Sequence, residues 1–124
     1  MGLFSRKTKE EKKGINWQEL TSVAQLDEAI ALSHEKPVML FKHSTRCSIS
    51  SMALNRVESD WGFSEEEVVP FYLDLIAHRD VSAAIADKMD VFHASPQMII
   101  AKNGKSVLDA SHNSINTRII GEVL

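Results

Sequence analysis

The spacing of apolar residues changes several times along the chain, and each spacing predicts a different element. Short apolar runs bounded by polar residues indicate strands, and apolar residues that recur every three or four positions indicate helices. One unbroken run, Val38-Met39-Leu40-Phe41, is typical of a strand buried on both faces. The pattern predicts strands at 15–20, 38–41, 68–76, 97–101 and 106–110, helices at 22–33, 47–61 and 80–89, and a last helix that begins at Asn113 or Ser114.

The predicted helices carry their own capping and packing signals. Ser22 followed by Gln25 makes a capping box for the first helix, and Asp80 is the expected N-cap of the third. The second helix begins near Cys47 and ends at Gly62. Its spacing predicts one buried face, which consists of Ile49, Met52, Ala53, Val57 and Trp61.

The order of these elements predicts the fold class. Strands and helices alternate up to residue 89, which indicates parallel crossover units with helices on both faces of a sheet. Two strands then flank Asn103-Gly104, a dipeptide that favours a two-residue hairpin turn. Pro70 indicates that the third strand lies at or near an edge of the sheet, or that it starts late. A central mixed sheet flanked by helices in this order is the thioredoxin-like α/β fold.

Composition narrows the class of protein. The 124 residues are 44% hydrophobic and 25% charged, as in a soluble globular domain. The chain has 14 Lys and Arg against 17 Asp and Glu, and this net charge of -3 argues against a nucleic-acid-binding protein. Apolar runs reach only four or five residues, so no segment predicts a membrane-spanning helix. We therefore expect a cytoplasmic protein.

The charge is unevenly distributed. Residues 1–14 contain five Lys or Arg and two Glu, so this segment carries +3 while the rest of the chain is acidic. It has neither the apolar stretch nor the cleavage site of a secretory signal. We expect residues 1–14 to form a flexible basic arm and residues 15–124 to form one thioredoxin-like domain.

Cys47 is the main candidate for chemistry, and it is the only cysteine, so the chain can form neither an internal disulfide nor a dithiol CxxC pair. It follows a buried strand and opens a helix, where α/β proteins collect reacting groups. The helix dipole favours a thiolate there, and Lys42, His43 and Arg46 add nearby charge. The alternative is an inert, packed cysteine, but polar neighbours such as Thr45 favour a reactive thiol.

Ser95-Pro96 stands directly before the hairpin, about fifty residues after Cys47. Thioredoxin-like folds place a cis proline at that point, opposite the active cysteine, where the preceding backbone can pair with a substrate. An ordinary trans proline that starts a strand is the alternative. His93, three residues earlier, either lines the same groove or makes a local hydrogen bond.

Two segments resemble a known family. Residues 41–50 (FKHSTRCSIS) and 91–97 (VFHASPQ) are similar to the monothiol bacilliredoxins, thioredoxin-like proteins of the bacillithiol system. The resemblance runs from about Asn16 to the C-terminus. One departure is Ser48, which stands where the family usually has proline, so we expect a looser helix start and weaker activity than is typical.

The resemblance implies a function. Cys47 would be the active thiol that takes bacillithiol from capped proteins, and Ser50 would replace the resolving cysteine of dithiol relatives. The implied partners are bacillithiolated client proteins and bacillithiol itself as co-substrate, with no tightly bound cofactor, no nucleic acid and no membrane, and the protein is expected to be a monomer. The expected supporting residues are Ser50, Arg46, His43 and Thr45 beside the thiolate, and Ser95, Pro96 and His93 along the substrate groove.

Two other functions remain open from the residues alone. Monothiol glutaredoxins share the CxxS pattern and carry iron–sulfur clusters, but they have a Gly-Phe pair where this chain has Ser48-Ile49. A thioredoxin-like binding module in which Cys47 only packs is the second alternative. His43 and Cys47 lie across a strand end and a loop, so their spacing does not predict a metal site. Asp74, within an apolar strand, either relays protons below Cys47 or lies on a solvated edge.

Overall fold

The computed structural model describes residues 15–124, and its elements follow the predicted order. The expected basic arm at residues 1–14 lies outside the described residues, so the domain boundaries stay a prediction. The strands are β1 (Gln18–Glu19), β2 (Val38–His43), β3 (Val69–Asp74), β4 (Gln97–Lys102) and β5 (Lys105–Ser111). The helices are α1 (Val23–Leu32), α2 (Ser48–Ser59), α3 (Arg79–Met89) and α4 (Thr117–Val123), with a 3₁₀ turn at His112–Ser114 before α4.

The five strands form one mixed sheet in the order β1-β3-β2-β4-β5. The parallel pairs are β1 with β3 and β3 with β2, and the antiparallel pairs are β2 with β4 and β4 with β5. Pro70 therefore lies in the strand next to the edge, as predicted, and the outer neighbour of this strand is the two-residue strand β1. The central position of β2 explains its unbroken apolar run, because it has a paired strand on each side and helices above and below.

The sheet separates two apolar cores, and the residues of β2 alternate between them. Val38 and Leu40 pack on one face with residues of α1 and α3, which we call the α1/α3 face. Met39 and Phe41 pack on the opposite face with residues of α2 and α4, the α2/α4 face. Successive side chains of a strand point to opposite faces, so the last two residues of β2 are divided in the same way.

The hairpin turn lies beside the start of β2, at the end of the sheet opposite to Cys47. Asn103 and Gly104 both have positive φ angles, 55° and 79°, as the predicted two-residue turn requires. The N–H groups of both residues donate to Ser33 at 2.8 Å, one to its carbonyl oxygen and one to its hydroxyl oxygen. A Cβ at Gly104 would lie 3.0 Å from His34 Nε2, so a glycine suits both the backbone and the space.

The buried face of α2 differs from the predicted one. Ser50, Ala53 and Val57 form the buried stripe, whereas Ile49 and Met52 are 49% and 63% exposed. The stripe is rotated because the first turn of α2 lies past the end of β2, where Ser50 makes polar contacts rather than apolar ones. The helix also ends at Ser59, three residues before Gly62.

Two predicted helix starts are also wrong by a few residues. Asp80 is in the first turn of α3, and His78 occupies the N-cap position without a side-chain cap. The last helix begins after Asn116, whose side chain accepts a hydrogen bond from the Ile119 N–H at 3.1 Å, and not after Asn113 or Ser114. Residues 112–114 form the 3₁₀ turn instead, so the N-cap of α4 is Asn116, two or three residues later than predicted.

Candidate active site

Cys47 occupies the N-cap position of α2, at the carboxyl end of the central strand. Its backbone is extended, its N–H donates to the Ser44 carbonyl oxygen at 3.2 Å, and its side chain makes no capping bond. The cysteine is half-buried, so its thiol is not enclosed in the core. Ser48, the departure from the family motif, is the first residue of α2, so the helix starts at this point without the proline.

Ser50 ties the first turn of α2 to the end of β2. Its hydroxyl oxygen accepts a hydrogen bond from the Ser44 N–H at 2.9 Å and lies 2.8 Å from Nδ1 of His43. Both Ser50 and His43 are buried, with exposed fractions of 0% and 5%. The loop that carries Cys47 is therefore held at both of its ends by one hydroxyl group. Whether Ser50 also supports the thiolate stays a prediction.

His43 lies on the α2/α4 face and is neutral at neutral pH. Burial lowers the pKa of its imidazole, and this effect outweighs the charges of Asp74 and Glu58 and the hydrogen bond with Ser50, which all raise the pKa. Its ring lies 5.8 Å from the ring of Tyr72. His43 is thus a buried hydrogen-bonding group of β2 and not the loop residue that the sequence predicts.

Asp74 ends β3 and lies opposite His43 in the register of the two strands. Its Oδ1 atom accepts hydrogen bonds from the N–H groups of Ile76 and Ala77 at 3.1 and 3.3 Å. This pattern holds the turn that follows the strand. The half-buried carboxylate therefore has a structural task, and it acts on His43 through its charge.

Lys42 lies on the opposite face of β2 and is completely buried. Its Nζ atom donates to the Ser82 carbonyl oxygen at 3.1 Å and lies 3.2 Å from Nδ1 of His93. Burial lowers the pKa of the Lys42 amine to about 8. Since no carboxylate lies within ion-pair distance of Lys42 among residues 15–124, the amine has only neutral partners.

The Ser95–Pro96 peptide bond is cis, which confirms that part of the prediction. Gln97 pairs with Lys42 in the β2–β4 register, so Pro96 lies one residue beyond that pair, at the same sheet edge as Cys47. The Gln97 Nε2 atom donates to the Phe92 carbonyl oxygen at 2.9 Å and ties the preceding segment to the strand. That Pro96 lies directly across a groove from Cys47 stays a prediction.

The structure brings some of the predicted residues together and separates others. His43 and Ser50 are in direct contact, and His93 contacts Lys42. Thr45 and Arg46 are exposed in the turn before α2. The sequence pattern does not single out Ser82, and it indicates Lys42 only as a charge near Cys47. The one available signal was that Lys42 directly continues the apolar run of β2.

Two negative findings apply to residues 15–124. Within this range, no group of three or more His, Cys, Asp or Glu residues is arranged to hold a metal ion. Over the same residues, the structure contains no helix with the length and apolar character needed to cross a membrane.

Solved structures that match this chain define its class. One, described as a candidate oxidoreductase with a thioredoxin fold, is 31% identical, covers 90% of this chain and 96% of its own, and superimposes with a TM-score of 0.75. Thioredoxin (Mala s 13) from Malassezia sympodialis is 16% identical, with coverages of 87% and 88% and a TM-score of 0.67. Thioredoxin from Fasciola hepatica is 21% identical, with coverages of 86% and 94% and a TM-score of 0.62. The protein therefore has a thioredoxin fold, as predicted.

The family follows from the sequence profile that matches within this class. The profile described as "Monothiol bacilliredoxin BrxC" matches residues 18–120, which is most of the chain. The chain belongs to the monothiol bacilliredoxin family, and the resemblance seen in residues 41–50 and 91–97 is confirmed. Family and fold together support a role in thiol redox chemistry.

Proposed function

We propose that this protein removes bacillithiol from capped protein thiols by thiol–disulfide exchange at Cys47. The observation that carries the proposal is the position of the single cysteine. Cys47 is half-buried at the N-cap of α2, and no residue among 15–124 holds its sulfur by a hydrogen bond. It lies at the sheet edge where the cis Ser95–Pro96 bond also lies. This exposure disfavours the alternative in which the cysteine only packs.

The proposed reaction exchanges one disulfide for another. The Cys47 thiolate attacks the bacillithiol sulfur of the mixed disulfide on the client. A bond forms between Cys47 and bacillithiol, the bond between bacillithiol and the client breaks, and the client sulfur leaves as a thiolate that takes a proton from solvent. No external oxidant or reductant is needed, because the number of disulfide bonds does not change.

The surroundings of Cys47 suit an attacking thiolate. The unpaired N–H groups at the start of α2 and the helix dipole stabilise a negative sulfur. Arg46 is exposed beside it and adds positive charge. His43 stays neutral at neutral pH and fixes the loop through Ser50, so its proposed support of the thiolate is positional.

The capped enzyme needs a second thiol to regenerate it. Ser50 has a hydroxyl where a resolving sulfur would be, and the sequence contains one cysteine in total. Bacillithiol itself, as co-substrate, or another redox protein would attack the adduct and release Cys47. We further propose that the protein acts in the cytoplasm as a monomer and without a bound cofactor.

Mass spectrometry tests the proposed function directly. A client protein capped with bacillithiol is mixed with the wild-type protein, and both masses are followed over time. The client should lose the cap while Cys47 gains it in equal amount, and Cys47→Ser should abolish both changes. Ser59→Ala, at the exposed far end of α2, is the matched control and should behave as wild type. Uncapping without an adduct, or by Cys47→Ser, would refute the single-thiol mechanism.

A further inference from the structure

A cleft of about 360 Å³ opens beside the segment that leads to the cis proline. It is lined by residues of α3, by the first residue of the β3–α3 connection and by one residue of the loop after α3; these are Leu75, Arg79, Ser82, Ala83, Ala86 and His93. Because α3 starts where β3 ends, the cleft lies at the sheet edge that also carries Cys47.

The charged groups in and behind this cleft are all positive. Arg79 and His93 stand at its wall, no acidic residue lines it, and the Lys42 amine lies directly behind Ser82 and His93. Within the described range 15–124, neither Lys42 nor Arg79 has an ion-pair partner. The remaining lining residues, Leu75, Ala83 and Ala86, are apolar. The cleft therefore offers positive charge and an apolar floor without a counter-ion of its own.

The contact with Lys42 determines how the His93 ring presents its nitrogen atoms. A lysine ammonium group has donors and no acceptor, so the Nδ1 atom of His93, 3.2 Å away, must accept. Burial and the charge of Lys42 both lower the pKa of His93, so the ring is neutral at neutral pH. The neutral ring then carries its proton on Nε2, which leaves one N–H donor for a ligand in the cleft.

We propose that this cleft binds a carboxylate of the small thiol that caps the client, through Arg79 and the Nε2–H of His93, with Lys42 as the buried positive charge behind them. The inference rests on the proposed function. Bacillithiol carries a malyl group whose carboxylates match these donors, and paired guanidinium and N–H groups are strong carboxylate ligands. Arg79 and His93 would thus be specificity residues, separate from the thiol that reacts.

The test compares two caps on the same client protein. One is bacillithiol, and the other is cysteinyl-glucosamine, which has the same reacting thiol without the malyl carboxylates. The wild type should remove the bacillithiol cap about 10-fold faster, because two hydrogen bonds to the carboxylate, each worth about threefold, are absent with the other cap. Arg79→Gln and His93→Gln should each lower this preference to about threefold. Arg118→Gln, an exposed arginine of α4 that pairs with Glu122, is the matched control.

A binding measurement separates this inference from the proposed function. In Cys47→Ser protein, bacillithiol should shift the NMR signals of the His93 ring, and cysteinyl-glucosamine should not. If neither cap is removed but the shift is seen, the proposed function fails and the carboxylate site stands. Equal removal of both caps by wild type, or a preference that survives in Arg79→Gln, overturns the site. Equal slowing of both caps in Arg79→Gln would place the carboxylate on the client and also overturn it.

Discussion

Lys42 and His43 are neighbours at the end of the central strand, and both are buried, yet the protein uses them in opposite ways. On the α2/α4 face, His43 is neutral and belongs to a closed set of hydrogen bonds with Ser50 and Ser44. On the α1/α3 face, the Lys42 amine reaches a carbonyl oxygen and the exposed His93, next to an open cleft. One face fixes the loop that carries Cys47, and the other places a buried positive charge behind an open cleft.

The largest expected effect is a change in the free energy of unfolding at alkaline pH that comes from Lys42 on the α1/α3 face. Its amine has a pKa of about 8 in the folded protein, against an ordinary value of 10.5, so the unfolded chain binds more protons between these values. The free energy of unfolding of wild type should therefore rise across this window, relative to Lys42→Met, by about 3 kcal/mol at most. Urea unfolding at pH 7.5 and pH 10.5 measures this difference.

Subtracting the free energy of unfolding of Lys42→Met from that of wild type at each pH removes the contribution of every other titrating group. Lys105→Met, at an exposed position of β5, is the control and should follow the wild-type pH dependence. Parallel curves for wild type and Lys42→Met would show that the buried amine is not desolvated, and the contrast with His43 would lose its basis.

The next effect is a loss of stability when the hydrogen bonds of His43 on the α2/α4 face are removed. Ser50→Ala removes the acceptor of the Ser44 N–H and the partner of the buried His43 ring. Leaving such groups without partners should lower the free energy of unfolding by about 1–3 kcal/mol at pH 7. Ser51→Ala, at the exposed neighbouring position of α2, should change it by less than about 0.5 kcal/mol. Equal urea midpoints for the two variants would contradict the structural role of Ser50.

The smallest expected effect is a change in one histidine pKa, and it tests whether the two faces are electrostatically independent. The charge of Lys42 lowers the pKa of His93, whereas the pKa of His43 is set by burial, Asp74, Glu58 and Ser50. Lys42→Met should therefore raise the pKa of His93 and leave that of His43 unchanged. NMR titration of the two imidazole rings reads both values in one experiment. A shift of His43 that matched the shift of His93 would mean that the two faces are electrostatically coupled.

Much of the fold could be predicted from local patterns. The order of elements, the near-edge position of Pro70 and the hairpin at Asn103-Gly104 follow from apolar spacing and turn chemistry, which act over a few residues. The end of β2 could not be predicted in this way. Lys42 and His43 look like loop residues, and they belong to the strand because β3 and β4 pair with it on both sides.

In the candidate site too, local features could be predicted from the sequence and contacts between distant residues could not. The position of Cys47 at a helix start and the cis Ser95–Pro96 bond were predicted from sequence. The contact between Lys42 and Ser82 joins residues 40 positions apart, and the contact with His93 joins residues 51 apart. No local pattern reports such pairs, because they depend on how α3 and the following loop pack against the sheet.

The double role of the Ser50 hydroxyl has a consequence for how this protein can change. A single substitution, Ser50→Cys, would give the sequence a CxxC pair with Cys47. However, sulfur is larger than oxygen and a weaker acceptor, so the new side chain would serve Ser44 and His43 poorly in a space that is fully enclosed. The step from one thiol to two therefore requires a second adjustment at the strand end. We therefore expect any evolutionary path from this chain to a two-cysteine form to pass through a less stable intermediate.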